Sequence, residues 1–121
     1  MADYPFLLQL DVTLTSGGTG TLTHTVPNNE KLVIDELVFN QTGIFNIIGI
    51  TVSGGRNISN ASNNKPIPSV VLQKGTNQFN HIGKFLTNLI LSGGETLTIE
   101  LLDTSAGSNL VQLTANCIRT V

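Results

Sequence analysis

The sequence predicts an all-β chain: a single antiparallel β-sandwich of eight or nine short strands, with the jelly roll as its specific form. Three observations carry this. Apolar and polar residues alternate with period two in segment after segment, as they do in strands that cover one face. Clusters of Gly, Asn, Ser and Pro punctuate the chain, and helical spacing is nowhere sustained over eleven residues. The 121 residues, 40% of them apolar, suffice for one buried core, and no linker divides them, so residues 1–121 read as one domain.

The elements follow in order. Between residues 6 and 14 every even position is apolar (Phe6, Leu8, Leu10, Val12, Leu14), with Gln9, Asp11 and Thr13 between them. Ser16-Gly17-Gly18-Thr19-Gly20 supplies turn residues, and a second strand runs over 21–26 until Pro27-Asn28-Asn29 stops it. These two strands are expected to pair as a hairpin, and residues 1–5 to form an N-terminal arm. In the third strand, 31–40, Leu32 and Ile34 share one phase while Leu37 and Phe39 take the other, so a bulge is predicted at Asp35-Glu36. The fourth, 44–52, has Ile44, Ile48, Ile50 and Val52 on one side and Phe45 and Ile47 on the other. Apolar residues on both faces predict a central strand covered on both sides.

Residues 53–68 form the one long irregular segment, read equally as a functional loop or as a crossover between the two sheets. Further strands are expected at 69–72, 78–82, 85–91, 95–103 and 110–121. Leu97, Ile99 and Leu101 alternate in the penultimate one, and Val111, Leu113, Ala115 and Cys117 in the last. Strands of this number with one long connection fit a two-sheet sandwich. An immunoglobulin-type sandwich is the alternative, although the buried Trp and paired cysteines of antibody domains are absent.

Composition narrows the function classes. Charged residues make up 12% of the chain, against about 25% in ordinary soluble domains, which excludes charge-driven disorder and coiled coils. Uncharged polar residues replace them: 15 Thr, 13 Asn, 8 Ser and 5 Gln. Such a surface suits crowded packing of identical copies, because little charge repulsion opposes it. The six cations Lys31, Arg56, Lys65, Lys74, Lys84 and Arg119 are scattered, so no basic face for nucleic acid is expected. Cys117 stands alone and cannot close an internal disulfide. The opening residues lack the n- and h-regions of a signal peptide, and no apolar run reaches 18 residues, so use without export and without a membrane is expected.

The residues that carry chemistry are sparse. His24 and His81 lie far apart in sequence, and His24 shares its phase with Leu22 and Val26, so it reads as a half-buried strand residue. One Cys and two distant His do not make a zinc set. Asp35 and Glu36 are adjacent, Glu95 and Glu100 differ in phase, and Asp11 and Asp103 read as solvated strand positions. Ser16 and Ser92 precede Gly-Gly without forming a nucleophile elbow, and no glycine loop is followed by the Lys-Ser/Thr of a phosphate cradle. No catalytic residue, cofactor or metal is assigned, and the chain is not expected to be an enzyme. The sequons at Asn40, Asn57 and Asn60 are no more than this Asn and Ser/Thr content produces by chance. Phe6, Phe39, Phe45, Phe79 and Phe85 read as core, which leaves few aromatic platforms for a sugar.

Four stretches together resemble small jelly-roll virion proteins of tailed bacteriophages. They are the run Lys31-Leu-Val-Ile-Asp-Glu-Leu-Val-Phe-Asn40 followed by Gly43-Ile-Phe45, the Asn/Pro-rich loop, Ser92-Gly-Gly-Glu-Thr-Leu-Thr-Ile-Glu-Leu102, and the ending Leu110-Val-Gln-Leu-Thr-Ala-Asn-Cys-Ile-Arg119. The group includes decoration (cement) proteins and related head or tail accessory proteins, and the resemblance covers about residues 30–121. Members often end in Gly, a bulky residue and Arg, whereas this chain has Asn116-Cys117-Ile118-Arg119. The resemblance implies a structural virion protein that self-associates and binds a major capsid or tail protein. It also implies assembly in the host cytoplasm and no catalytic residues. A trimer is expected, since jelly rolls commonly gather at threefold positions of shells. Subunit contacts are expected from apolar residues left exposed on one strand face. Contact with a partner is expected from the loop, through Arg56, Asn57, Asn60, Asn63, Asn64 and Lys65. The rival reading is a small lectin-like sandwich, or a receptor-binding tail or spike module.

Overall fold

The computed structural model describes residues 2–53, 56–69, 79–81 and 89–121. Among them the strands are β1 (Asp3–Leu14), β2 (Thr19–Thr25), β3 (Lys31–Gln41), β4 (Phe45–Val52), β5 (Arg56–Asn57), β6 (Ile67–Pro68), β7 (Phe79–His81), β8 (Leu89–Leu91), β9 (Thr96–Asp103) and β10 (Asn109–Thr120). One sheet runs β1-β10-β3 with β7 and β8 both on β3; the other runs β2-β9-β4 with β5 and β6 both on β4. β10 occupies one edge of β3, so β7 (against Val38–Asn40) and β8 (against Leu32–Ile34) share the other. In the same way β5 and β6 share the edge of β4 that β9 leaves open. Counting each shared edge as one strand gives two four-stranded antiparallel sheets. The chain passes between them from β1 to β4, stays in the β2 sheet through β5 and β6, and crosses back at β7, at β9 and at β10, the order of a jelly roll, the predicted fold.

The inward faces close one core. The β1 sheet contributes Leu8, Leu14, Ile34, Phe39, Leu91, Val111, Leu113 and Ala115, and the β2 sheet Leu22, Phe45, Ile47, Ile50, Val52, Leu97, Ile99 and Leu101. Phe39 and Phe45 meet edge to face across the two layers, with ring centroids 5.4 Å apart. The bulge expected in β3 is present: Ile34 pairs with Cys117 and Glu36 with Asn116, leaving Asp35 as the extra residue.

Several expectations are corrected. β1 and β2 do not form a hairpin. They lie in opposite sheets, β1 on β10 and β2 on β9, so their apolar faces meet across the core. The glycine turn between them is a corner whose Gly18 carbonyl accepts from Asp103 N at 2.8 Å. Periodicity marks which face is covered, and both arrangements satisfy it. The N-terminal arm is not seen either, because Asp3, Tyr4 and Pro5 pair with Thr120, Arg119 and Ile118 as the start of β1.

The apparently two-faced β4 has one apolar face. Ile47 pairs with Leu101 and Gly49 with Glu100, so Ile48 is an extra residue, and Phe45, Ile47, Ile50 and Val52 all point inward. Residues 53–68 are not structureless. Their ends form β5 and β6, and since β6 still belongs to the β2 sheet, this segment is not the crossover. Ser69 is buried outside any strand and accepts from Phe45 N. Of the remaining predicted strand positions, 70–72, 78, 82 and 85–88 lie outside the described residues.

Candidate functional site

At one end of the sandwich three turns are tied to a single carboxylate. Asp103, expected on a solvated position, is 3% exposed at the end of β9. One oxygen accepts from Gly17 N at 2.9 Å; the other accepts from Ser105 N, Ser105 Oγ and Asn109 Nδ2 at 3.1, 2.6 and 3.2 Å. Asn109, buried at the start of β10, extends the knot to the β3–β4 turn. Its amide nitrogen donates to Gly43 O and Ile44 O, and its oxygen accepts from Gly43 N. Burial pushes the Asp103 carboxyl up, but the donors from Ser105, Gly17 and Asn109 together hold it well below the usual carboxylate range. Every one of its donors belongs to the fold, so the knot is a fastening of loops.

The opposite end carries a cleft of about 220 Å³ lined by Phe6, His24, Val26, Pro27, Glu30, Lys31, Leu32 and Arg119. It forms where β2 ends, β3 begins and β10 returns beside β1, so both sheets contribute a wall. Arg119 donates twice to the Glu30 carboxylate, from Nε at 2.6 Å and from Nη2 at 2.9 Å, and its guanidinium lies 5.6 Å from the Phe6 ring centroid. The hydrogen bond from Arg119 lowers the Glu30 pKa, and the same bond raises that of Arg119. Burial lowers the His24 pKa against the opposing pull of Glu30, favouring a neutral imidazole. The arrangement offers a small apolar pocket whose strongest charges are already paired to each other.

The six predicted loop residues are all exposed. Arg56 and Asn57 stand on β5, with Arg56 Nη2 2.6 Å from Glu95 Oε2. Asn60, Asn63, Asn64 and Lys65 stand on a loop held by reciprocal backbone bonds between Ser62 and Lys65, each 3.1 Å. Ile58 and Ile67 pack against the core on either side of it. The structure therefore gathers four of the six on one fastened loop and places Arg56 and Asn57 on the neighbouring sheet edge.

The two outer faces differ in chemistry. On the β2 sheet Thr19, Thr21, Thr23 and Thr25 alternate outward along β2. Thr96 and Thr98 sit opposite Thr25 and Thr23, and Thr51 sits beyond Thr98. On the β1 sheet Pro5 pairs with Ile118, Ile118 with Val33 and Val33 with Ile90, making one apolar row across four strands. Ile118 is 42% exposed, Ile90 50% and the adjacent Leu7 67%. A shallow groove of about 470 Å³ runs beside the row, lined by Pro5, Leu7, Asp35, Asn116 and Ile118 above the backs of Phe6 and Cys117. Burial raises the Cys117 thiol to about 11, with the Asp35 carboxylate adding to the shift, so the sulfur is held as a thiol.

Alternation in the sequence does locate Pro5, Leu7, Ile118 and Val33 on the polar side of their strands. What it lacks is the pairing that lines them up. Among the described residues no group of three or more His, Cys, Asp or Glu side chains is placed to hold a metal ion, and no helix is long and apolar enough to cross a membrane. No family model, curated protein or solved structure matches the chain.

Proposed function

We propose that this chain is a structural virion protein, a jelly-roll subunit that self-associates and binds the shell of a tailed bacteriophage as a decoration or cement protein. The observation that carries the reading is the apolar row across the outer face of the β1 sheet, set against a threonine-covered face on the β2 sheet. Exposed apolar residues that line up across four strands indicate a face meant to be covered. A hydroxyl-rich face is wetted without strong charge.

Mass action supplies the mechanism. A subunit that binds the assembled shell and not its opened form adds RT ln(1 + [L]/Kd) per site, about 2.7 kcal/mol at a hundredfold excess over Kd. The fastened loop carrying Asn60, Asn63, Asn64 and Lys65 is the proposed contact with the major capsid or tail protein. Neutral amides and one ammonium there offer hydrogen bonds to a polar partner surface.

Co-sedimentation tests the reading. Purified chain mixed with particles stripped of it should bind saturably and raise the temperature at which the shell opens. Failure to bind, together with saturable binding on a glycan panel, would replace this reading with the lectin-like one.

A further inference from the structure

We infer that the cleft between the two sheets, where β2 ends and β10 returns beside β1, binds one neutral sugar ring through Glu30, Arg119 and His24. The site stands apart from the shell-binding reading and adds a second ligand class to the chain.

Size is the first support. The cleft holds about 220 Å³, below the roughly 300–1,000 Å³ of pockets for drug-sized ligands, so it admits a single ring. Charge is the second. Glu30 and Arg119 cancel each other, and burial keeps His24 neutral. Lys31 is exposed at the rim, where solvent screens it. No buried charge on the lining is left to call for an ion, so the ligand is neutral.

Hydrogen-bonding capacity is the third. Arg119 gives Nε and Nη2 to Glu30 and keeps the N–H groups of Nη1. Each Glu30 oxygen accepts one of those bonds and has a lone pair left. A neutral imidazole has one donor and one acceptor, and His24 bonds neither of them to a described residue. A hydroxyl donates and accepts at once, so adjacent ring hydroxyls match this mixed set, with charge-assisted bonds to Glu30 and Arg119. Phe6 and Pro27 form the apolar wall above buried Val26, which suits the C–H face of the same ring. Phe6, expected in the core, is only half-buried and turns part of its surface to the cleft. A pyranose carries both chemistries, a polar edge and an apolar face.

Amide-resolved NMR titration of the full chain with free glucose, galactose, mannose, rhamnose and N-acetylglucosamine tests the inference. At least one is expected to shift the amides between residues 24 and 32 and that of Arg119 saturably, with a Kd on the order of 1 mM. Glu30→Gln is expected to weaken that binding about tenfold, as loss of a charge-assisted hydrogen bond does, while the melting curve stays native. If Glu30→Gln does not fold, His24→Ala, which leaves the Glu30–Arg119 pair in place, makes the same test. Thr21→Ala on the outer face of β2 is expected to change nothing. An oligosaccharide ending in the sugar that binds separates two sources. Affinity at least equal to the free sugar assigns the site to a glycan terminus, and weaker binding assigns it to the free sugar. Silence of every neutral sugar at roughly 50 mM, where a millimolar site is nearly full, would overturn the inference. Shifts confined to other residues, or binding indifferent to both substitutions, would overturn it too. Co-sedimentation with particles is scored separately. A chain that takes the sugar but not particles upholds this site and loses the virion reading; one that takes particles but no sugar loses only this site.

Discussion

Asp103 shows how one side chain can fasten a fold and remain illegible in a sequence. It occupies an inward position of β9, in phase with Leu97, Ile99 and Leu101, and that phase alone marks it as buried. Reading it as solvated followed from its charge, because a carboxylate is buried only where donors converge on it, and those donors come from turns distant in sequence. Asp103→Asn places an amide N–H against donors that need an acceptor, and should cost about 2–3 kcal/mol, or roughly 10 °C in Tm by calorimetry. The pH dependence has a definite sign. The folded pKa lies below the unfolded value, so the stabilisation is complete above about pH 4 and is lost as pH falls through the folded pKa. The Asn variant should lack that acid-side slope. His24, the half-buried strand residue the alternation predicts, has its folded pKa lowered by burial. Its contribution is complete above its unfolded pKa of about 6.5 and is lost as pH falls toward the folded value. His24→Gln should flatten the stability profile between about pH 7 and 5, as followed by urea melts.

Among the elements, β3 and β4 carry the same device with unequal legibility. In β3 the change of phase between Ile34 and Phe39 is abrupt and brackets two charged residues, so the bulge at Asp35 is visible in the sequence. In β4 the extra residue is itself apolar, Ile48, and the pattern looks like a strand covered on both sides. The β1–β2 corner fails differently. A Gly-rich turn between two alternating strands fits a hairpin and a sheet-to-sheet corner alike, and only the pairing of β1 with β10 and β2 with β9 decides. The segment after β4 combines both lessons, since two-residue pairings such as Arg56–Asn57 are too short to leave a period. Its anchors set the limits of any deletion. Ile58 N donates to Ile50 O at 2.9 Å and its side chain reaches the core, so a cut through it damages the sheet edge. Removing residues 60–64 should leave the melting temperature within a few degrees of wild type and abolish co-sedimentation with particles. Retained binding would reduce the loop to a connection.

For the whole molecule, alternation and composition made the all-β sandwich and its uncharged surface legible, while strand order and surface segregation came from pairing. The candidate surfaces divide accordingly. The exposed loop polar groups from Arg56 to Lys65 are readable one by one, but Pro5, Val33, Ile90 and Ile118 become a row only when β1, β10, β3 and β8 lie side by side. The outer surface thus divides into an apolar row on the β1 sheet, a threonine-rich face on the β2 sheet and a fastened polar loop. The direct test is quantitative mass spectrometry of purified phage particles and matching lysate from the culture that produces the chain. A decoration role predicts many copies per particle in a fixed ratio to the major capsid protein. Abundance in the lysate or medium with none on particles would contradict it.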